Sequence, residues 1–95
     1  MAVKILIKRK VPDSKNQELS RLLKHLRALT MIQRGYISGE TLQRVDAPNE
    51  NLVISTWQSA EAWRDWILSG ERKDIQDRID SLLGEPTSYE IYEHL

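Results

Sequence analysis

The chain opens on an alternation. In residues 2–11, AVKILIKRKV, Val3, Ile5 and Ile7 point one way and Lys4, Leu6, Lys8 and Lys10 the other. That period of two predicts a strand with one buried face. Pro12 and Asp13 stop it, and Ser14, with Gln17 three residues on, is placed to cap a helix. The period then changes. Leu19, Leu22, Leu23, Leu26 and Leu29 form the apolar stripe of a helix over 15–32, and Gly35 supplies its exit. Residues 36–45, YISGETLQRV, read as a strand whose interior Gly39 predicts a bulge or a close backbone approach. Turn-forming residues at 46–51 return the chain as a hairpin into a strand over 52–58. There Leu52, Ile54 and Thr56 share one face, and Val53, Ser55 and Trp57 the other. Neither face is polar enough for water, so this strand is expected to be central and covered on both sides.

Ser59 caps a short helix over 60–69 with Trp63, Trp66 and Ile67 on one stripe. Ser69-Gly70-Glu71 breaks it and starts another, in which Ile75, Ile79, Leu82 and Leu83 repeat at helical spacing; Gly84 and Pro86 end that helix. Residues 87–95, TSYEIYEHL, alternate once more as a last strand. The order β-α-β-β-α(α)-β predicts an α+β fold: a four-stranded antiparallel sheet with helices on one face, the ferredoxin-like arrangement, as one domain over 1–95. The other sheet face would carry Leu6 and Ile54, with Ile37 and Tyr92 beside them. A second copy stacked sheet on sheet is the expected cover, giving a homodimer.

Composition removes several function classes. The 14 basic and 14 acidic side chains cancel, leaving no basic stripe for nucleic acid. Leu, Ile and Val number 25 of 95 residues, which argues against disorder. No apolar run is long enough to span a membrane, and Met1-Ala2-Val3 leads straight into the first strand without a signal segment, so a cytoplasmic location is expected. The absence of cysteine excludes disulfides and thiolate chemistry. The four glycines are scattered, so there is no phosphate loop. His25 and His94 have no ligand-like neighbours, so no metal site is expected. Ser38-Gly39 lacks the flanking glycine of a nucleophile elbow. Lys8, Arg9 and Lys10 read as a solvated basic run protecting a sheet edge.

What remains is aromatic. Three tryptophans and three tyrosines occur with no phenylalanine: Tyr36, Trp57, Trp63, Trp66, Tyr89 and Tyr92. They fill a core, or they line an apolar pocket in which indole N–H and phenol O–H groups orient a flat ligand. His25, on the flank of the leucine stripe, is a solvent-bonded boundary residue or a proton-transfer group.

The segments GYISGETL (35–42), LVISTWQSAEAWRDWILSGER (52–72) and LLGEPTSYEIYE (82–93) resemble the antibiotic biosynthesis monooxygenase domain family over nearly the whole chain. The resemblance implies a dimeric α+β barrel, two ferredoxin-like subunits with apposed sheets. It also implies oxidation of aromatic polyketide or quinol substrates by molecular oxygen without metal, flavin or haem; other members degrade haem or are isomerases. Trp57 matches a tryptophan that lines the substrate pocket in the polyketide oxygenases. Val53 stands where those enzymes have asparagine, a change that removes a hydrogen bond of ~1–3 kcal/mol where buried. Trp63 stands where they have tyrosine. In the haem-degrading branch a helix tryptophan matches Trp66, but Gln76 replaces the haem-ligating histidine, and Ile7, or Lys8 with a one-residue shift, replaces a first-strand asparagine.

The resulting expectation is a monooxygenase of an aromatic or quinol-type small molecule with no cofactor. Trp57, Trp63, Trp66 and Val53 are its expected pocket walls. His25, Tyr36 and Tyr89 are its candidates for polar contact or proton transfer. The alternative is a non-catalytic ligand-binding or stress-related dimer of the same fold, and haem degradation stands behind both.

Overall fold

A computed structural model describes residues 1–95. β1 (Val3–Lys10) leads through a 3-10 turn at Asp13–Lys15 into α1 (Asn16–Met31). β2 (Tyr36–Gln43) and β3 (Glu50–Trp57) form a hairpin. α2 (Ala60–Ile67), α3 (Gly70–Leu83) and β4 (Ser88–Glu93) complete the chain. The expected order is the observed one, and the four strands form one open antiparallel sheet in the order β2-β3-β1-β4. This is the ferredoxin-like arrangement. No helix is long and apolar enough to cross a membrane.

Register decides which side chains share a face. Ile7 lies opposite Val53 on β3 and Tyr89 on β4, and Ile5 opposite Ser55 and Ile91. The odd-numbered positions of both inner strands therefore face the helices. Val3, Ile5, Ile7 and Trp57 pack there with Trp63 and Trp66 of α2. A second cluster joins Val11 and Leu19 to Ile75 and Ile79 of α3. The even positions, with Leu6 directly opposite Ile54, form the other sheet face, which no part of this chain covers.

Several local expectations are corrected. Ser14 does not cap α1: the amide of Lys15 bonds the Pro12 carbonyl at 2.9 Å, and the chain enters the helix through that turn with no side-chain cap. Ser59 does cap α2, its Oγ accepting from the Ala62 amide at 3.1 Å. The register shift in β2 falls between Tyr36 and Ser38 rather than at Gly39. β3 is an inner strand as expected. Only its helix-facing Ser55 and Trp57 are buried, because a single chain covers one face.

The largest correction concerns Lys8-Arg9-Lys10. β1 is an inner strand rather than an edge, and Arg9 is only 6% exposed. Position 9 continues the phase of Val3, Ile5 and Ile7, so the strand turns its side chain inward while Lys8 and Lys10 stay exposed on the open face.

Candidate functional site

A cavity of about 350 Å³ lies between α1 and the helix-facing side of the sheet. The leucine stripe of α1 supplies one wall through Leu19, Leu23 and Leu26. Opposite stand Ile7 of β1, Val53 and Ser55 of β3, and Tyr36 and Thr41 of β2. Trp63 and Trp66 enter from α2. Clefts of this size with apolar walls and convergent polar groups are a usual form of small-molecule site.

The aromatic side chains form a connected chain behind and along that wall. Trp57 is fully enclosed, and its indole Nε1–H donates to Ser55 Oγ at 2.7 Å. Tyr36 meets it edge-on at 5.5 Å between ring centroids, and Trp63 meets it at 5.7 Å. Trp63 continues to Tyr89 at 5.5 Å. Edge-to-face contacts at these separations match the preferred geometry of aromatic pairs. Gly39 belongs to this arrangement. A Cβ there would stand 2.8 Å from the Tyr36 hydroxyl, so the absent side chain is what lets the phenol lie over β2.

One end of the cavity is polar. Arg9, Arg72, Gln76 and Tyr89 all line it. The Arg72 guanidinium stacks 5.9 Å from the Trp63 ring centroid and 5.1 Å from that of Tyr89. It donates to the Tyr89 hydroxyl and, at 3.4 Å, to the Ile67 carbonyl. Burial pushes the Tyr89 phenol above its ordinary value; the neighbouring Arg72 and Arg9 charges pull the other way without winning. The phenol is therefore neutral at physiological pH and keeps its proton.

Gln76 is held by its amide nitrogen, which donates to Asp80 Oδ1 at 2.8 Å and Thr87 Oγ1 at 2.7 Å. Asp80 Oδ1 also accepts from the Thr87 amide and hydroxyl. Two buried atoms at this end have no partner: Arg9 Nε and Gln76 Oε1. No group of three or more His, Cys, Asp or Glu side chains is gathered in a way that could hold a metal ion.

A family model described as antibiotic biosynthesis monooxygenase matches residues 2–78. This chain belongs to that family. Solved structures agree on the fold. A conserved protein from Methanosarcina mazei superimposes with a TM-score of 0.91 at 24% identity, over 100% of this chain and 94% of its own. A Mycobacterium tuberculosis protein gives 0.85 at 17%, over 100% and 96%. SnoaB, a cofactor-independent oxygenase from Streptomyces nogalater, gives 0.81 at 14%, over 99% and 93%. No curated sequence matches the chain.

Within this monooxygenase family fold, the residues singled out from sequence fall in three places. Trp63, Trp66, Val53, Tyr36 and Tyr89 come together around the cavity. Trp57 does not reach its surface but backs it, holding Tyr36 and Trp63 in place. His25 is exposed on α1 and off the cavity wall, because it points about 100° from the leucine stripe.

Sequence reasoning missed Arg9, Arg72 and the Gln76–Asp80–Thr87 cluster. A signal existed for the first three. Arg9 is in phase with the buried strand positions, and Arg72, Ile75, Gln76 and Ile79 share one helical face, all four of them buried.

Proposed function

We propose that this protein is a cofactor-independent oxygenase of planar, electron-rich phenols, enols or quinols. The observation that carries the reading is the cavity itself: open space of about 350 Å³ beside Trp63 and Trp66, in a chain of the monooxygenase family. A flat ring inserted there meets aromatic faces on one side and the α1 leucines on the other. Loss of a proton makes such a substrate a carbon nucleophile toward dioxygen. In the anthrone-type case a C–O bond forms, two C–H bonds break, one oxygen atom remains as the carbonyl and the other leaves as water. The substrate supplies all four electrons. The protein binds, desolvates and orients the anion. Tyr36 and Tyr89 are the phenol groups beside it.

A second reading, a ligand-binding protein without turnover, is favoured by Val53, which offers the cavity wall no hydrogen bond. Oxygen-electrode measurements with anthrone and substituted hydroquinones separate the two. The oxygenase gives enzyme-dependent uptake above the spontaneous rate. Leu23→Trp, which fills the cavity, lowers that uptake by about tenfold or more, since a displaced ring loses its positioning. Equal turnover without oxygen sinks the oxygenase, and binding without uptake leaves the second reading.

We also propose that two copies pair through the open sheet face. Leu6, Leu52 and Ile54 lie half-buried there, with Leu42 and Tyr92 exposed beside them at 43% and 50%. A second sheet stacked on that face would remove them from water.

A further inference from the structure

Arg9 is anomalous for a residue of an apolar sheet face. It is 6% exposed, yet its guanidinium makes no ion pair and no hydrogen bond within the chain. Burial pulls its proton affinity below the ordinary value, but an arginine in this range stays charged. A buried, unpaired charge is among the most unfavourable groups a fold can hold. Its Nε is sealed in without a partner. The terminal nitrogens, also without one, keep accessible surface, and the residue lines the cavity.

The surrounding charges do not resolve this. Arg72 adds a second guanidinium at the same end, already committed to Tyr89 and the Ile67 carbonyl. Asp80 is the carboxylate that attracts Arg9, but its Oδ1 is taken by Gln76 and Thr87, and it bonds to neither arginine. Two guanidiniums against one carboxylate leave this end one positive charge in excess.

We propose that the polar end of the cavity is an anion subsite that takes a carboxylate carried by the aromatic ligand, with the Arg9 guanidinium as its principal donor. This deepens the aromatic-ligand reading above and rests on it. A single negative charge balances the excess of one, whereas a phosphate dianion overshoots it. The planar fork of arginine suits a carboxylate because two parallel N–H groups donate to its two oxygens. The apolar part of the ligand then lies back along Val53, Trp63 and the α1 leucines. The substrate class is therefore an electron-rich phenol, enol or quinol that also carries a carboxylate.

The test measures binding of 2-naphthoate, 2-naphthol, 2-naphthyl phosphate and acetate by calorimetry to the intact protein, wild type and Arg9→Gln. The wild type should prefer 2-naphthoate over 2-naphthol by about tenfold or more, the scale of a charge-assisted bond. Arg9→Gln should erase that preference while leaving 2-naphthol within about twofold, since only the anion contact is lost. It should also raise the melting temperature of the unliganded protein, because an uncompensated buried charge is removed.

The ligand series on the wild type stands even if the variant folds poorly. Equal binding of naphthoate and naphthol overturns the subsite and leaves the aromatic pocket standing. Acetate binding that Arg9→Gln abolishes, with no naphthol binding, supports the subsite and removes the aromatic reading. Tighter binding of the phosphate than of the carboxylate overturns the assignment to a carboxylate. Absence of binding by all four removes both proposals.

Discussion

The phenol of Tyr89 keeps its proton at neutral pH because burial outweighs two nearby guanidiniums. The sign of the consequence is set by which state ionises first. With its folded value raised above the ordinary 10.0, the group loses its proton first in the unfolded chain. The linked stability is fully present below pH 10.0 and is lost as the pH climbs from there through the folded value. Tyr89→Phe should therefore flatten the alkaline fall of stability and remove one phenolate absorbance step that develops above pH 10.0. An unchanged alkaline titration in the variant would show that burial does not control this group.

The neighbouring Arg9 shows where residue-scale reading from sequence stops. Alternation put Val3, Ile5 and Ile7 inside, and the same phase included position 9. Charge argued against it, because arginine is seldom buried without a partner. What placed it inside was strand order, which makes β1 an inner strand, and the arrival of Arg72 and Tyr89 from elements over sixty residues away. No local pattern contains that information.

At the scale of elements, the turn from α1 into β2 has a strict steric requirement. Gly35 has a φ of +88°, and a Cβ there would lie 2.5 Å from the Ala62 Cβ of α2. Gly35→Ala combines a left-handed backbone with a clash, each of which costs about 1–3 kcal/mol, so about 2 kcal/mol or more of stability should be lost. Gly70→Ala is the control: no atom lies within 4 Å of its added Cβ, and it opens α3. That change should stabilise by about 0.5 kcal/mol through the unfolded chain. Urea unfolding midpoints moving in opposite directions would bear this out; equal shifts would contradict it.

The elements themselves were readable because each is marked at its ends: Pro12, Gly35, the 46–51 turn, Ser59 and Gly84. Of the two alternatives that a glycine inside a strand offers, a bulge or a close approach, Gly39 takes the second. What approaches is the Tyr36 phenol from three residues away, and a side chain crossing its own strand leaves no mark in a period-two pattern.

For the whole molecule, the open sheet face carries the remaining prediction. Leu6 and Ile54 are cross-strand partners near its centre, with Lys8 and Glu90 paired at 3.8 Å nearby. A stable association generally buries about 1,200–2,000 Å² in total, and this face, with Leu6, Leu52 and Ile54 set among lysines and glutamates, is the surface from which to draw it. Sedimentation at micromolar concentration should give a dimer, and Ile54→Lys should give a folded monomer by placing an unpaired charge at the centre of the contact. A wild-type monomer under the same conditions would remove the pairing. The alternation with which the chain begins then has a further meaning. Along β1 and β3, every other residue faces the helices, some of them lining the cavity, and the residues between face the opposite side. The two strands thus carry two interleaved scripts, one for the side turned to the helices and one for the side turned away. Descendants of such a chain can change one script letter by letter while the other stays intact, so the lining of the cavity can drift without disturbing the open face.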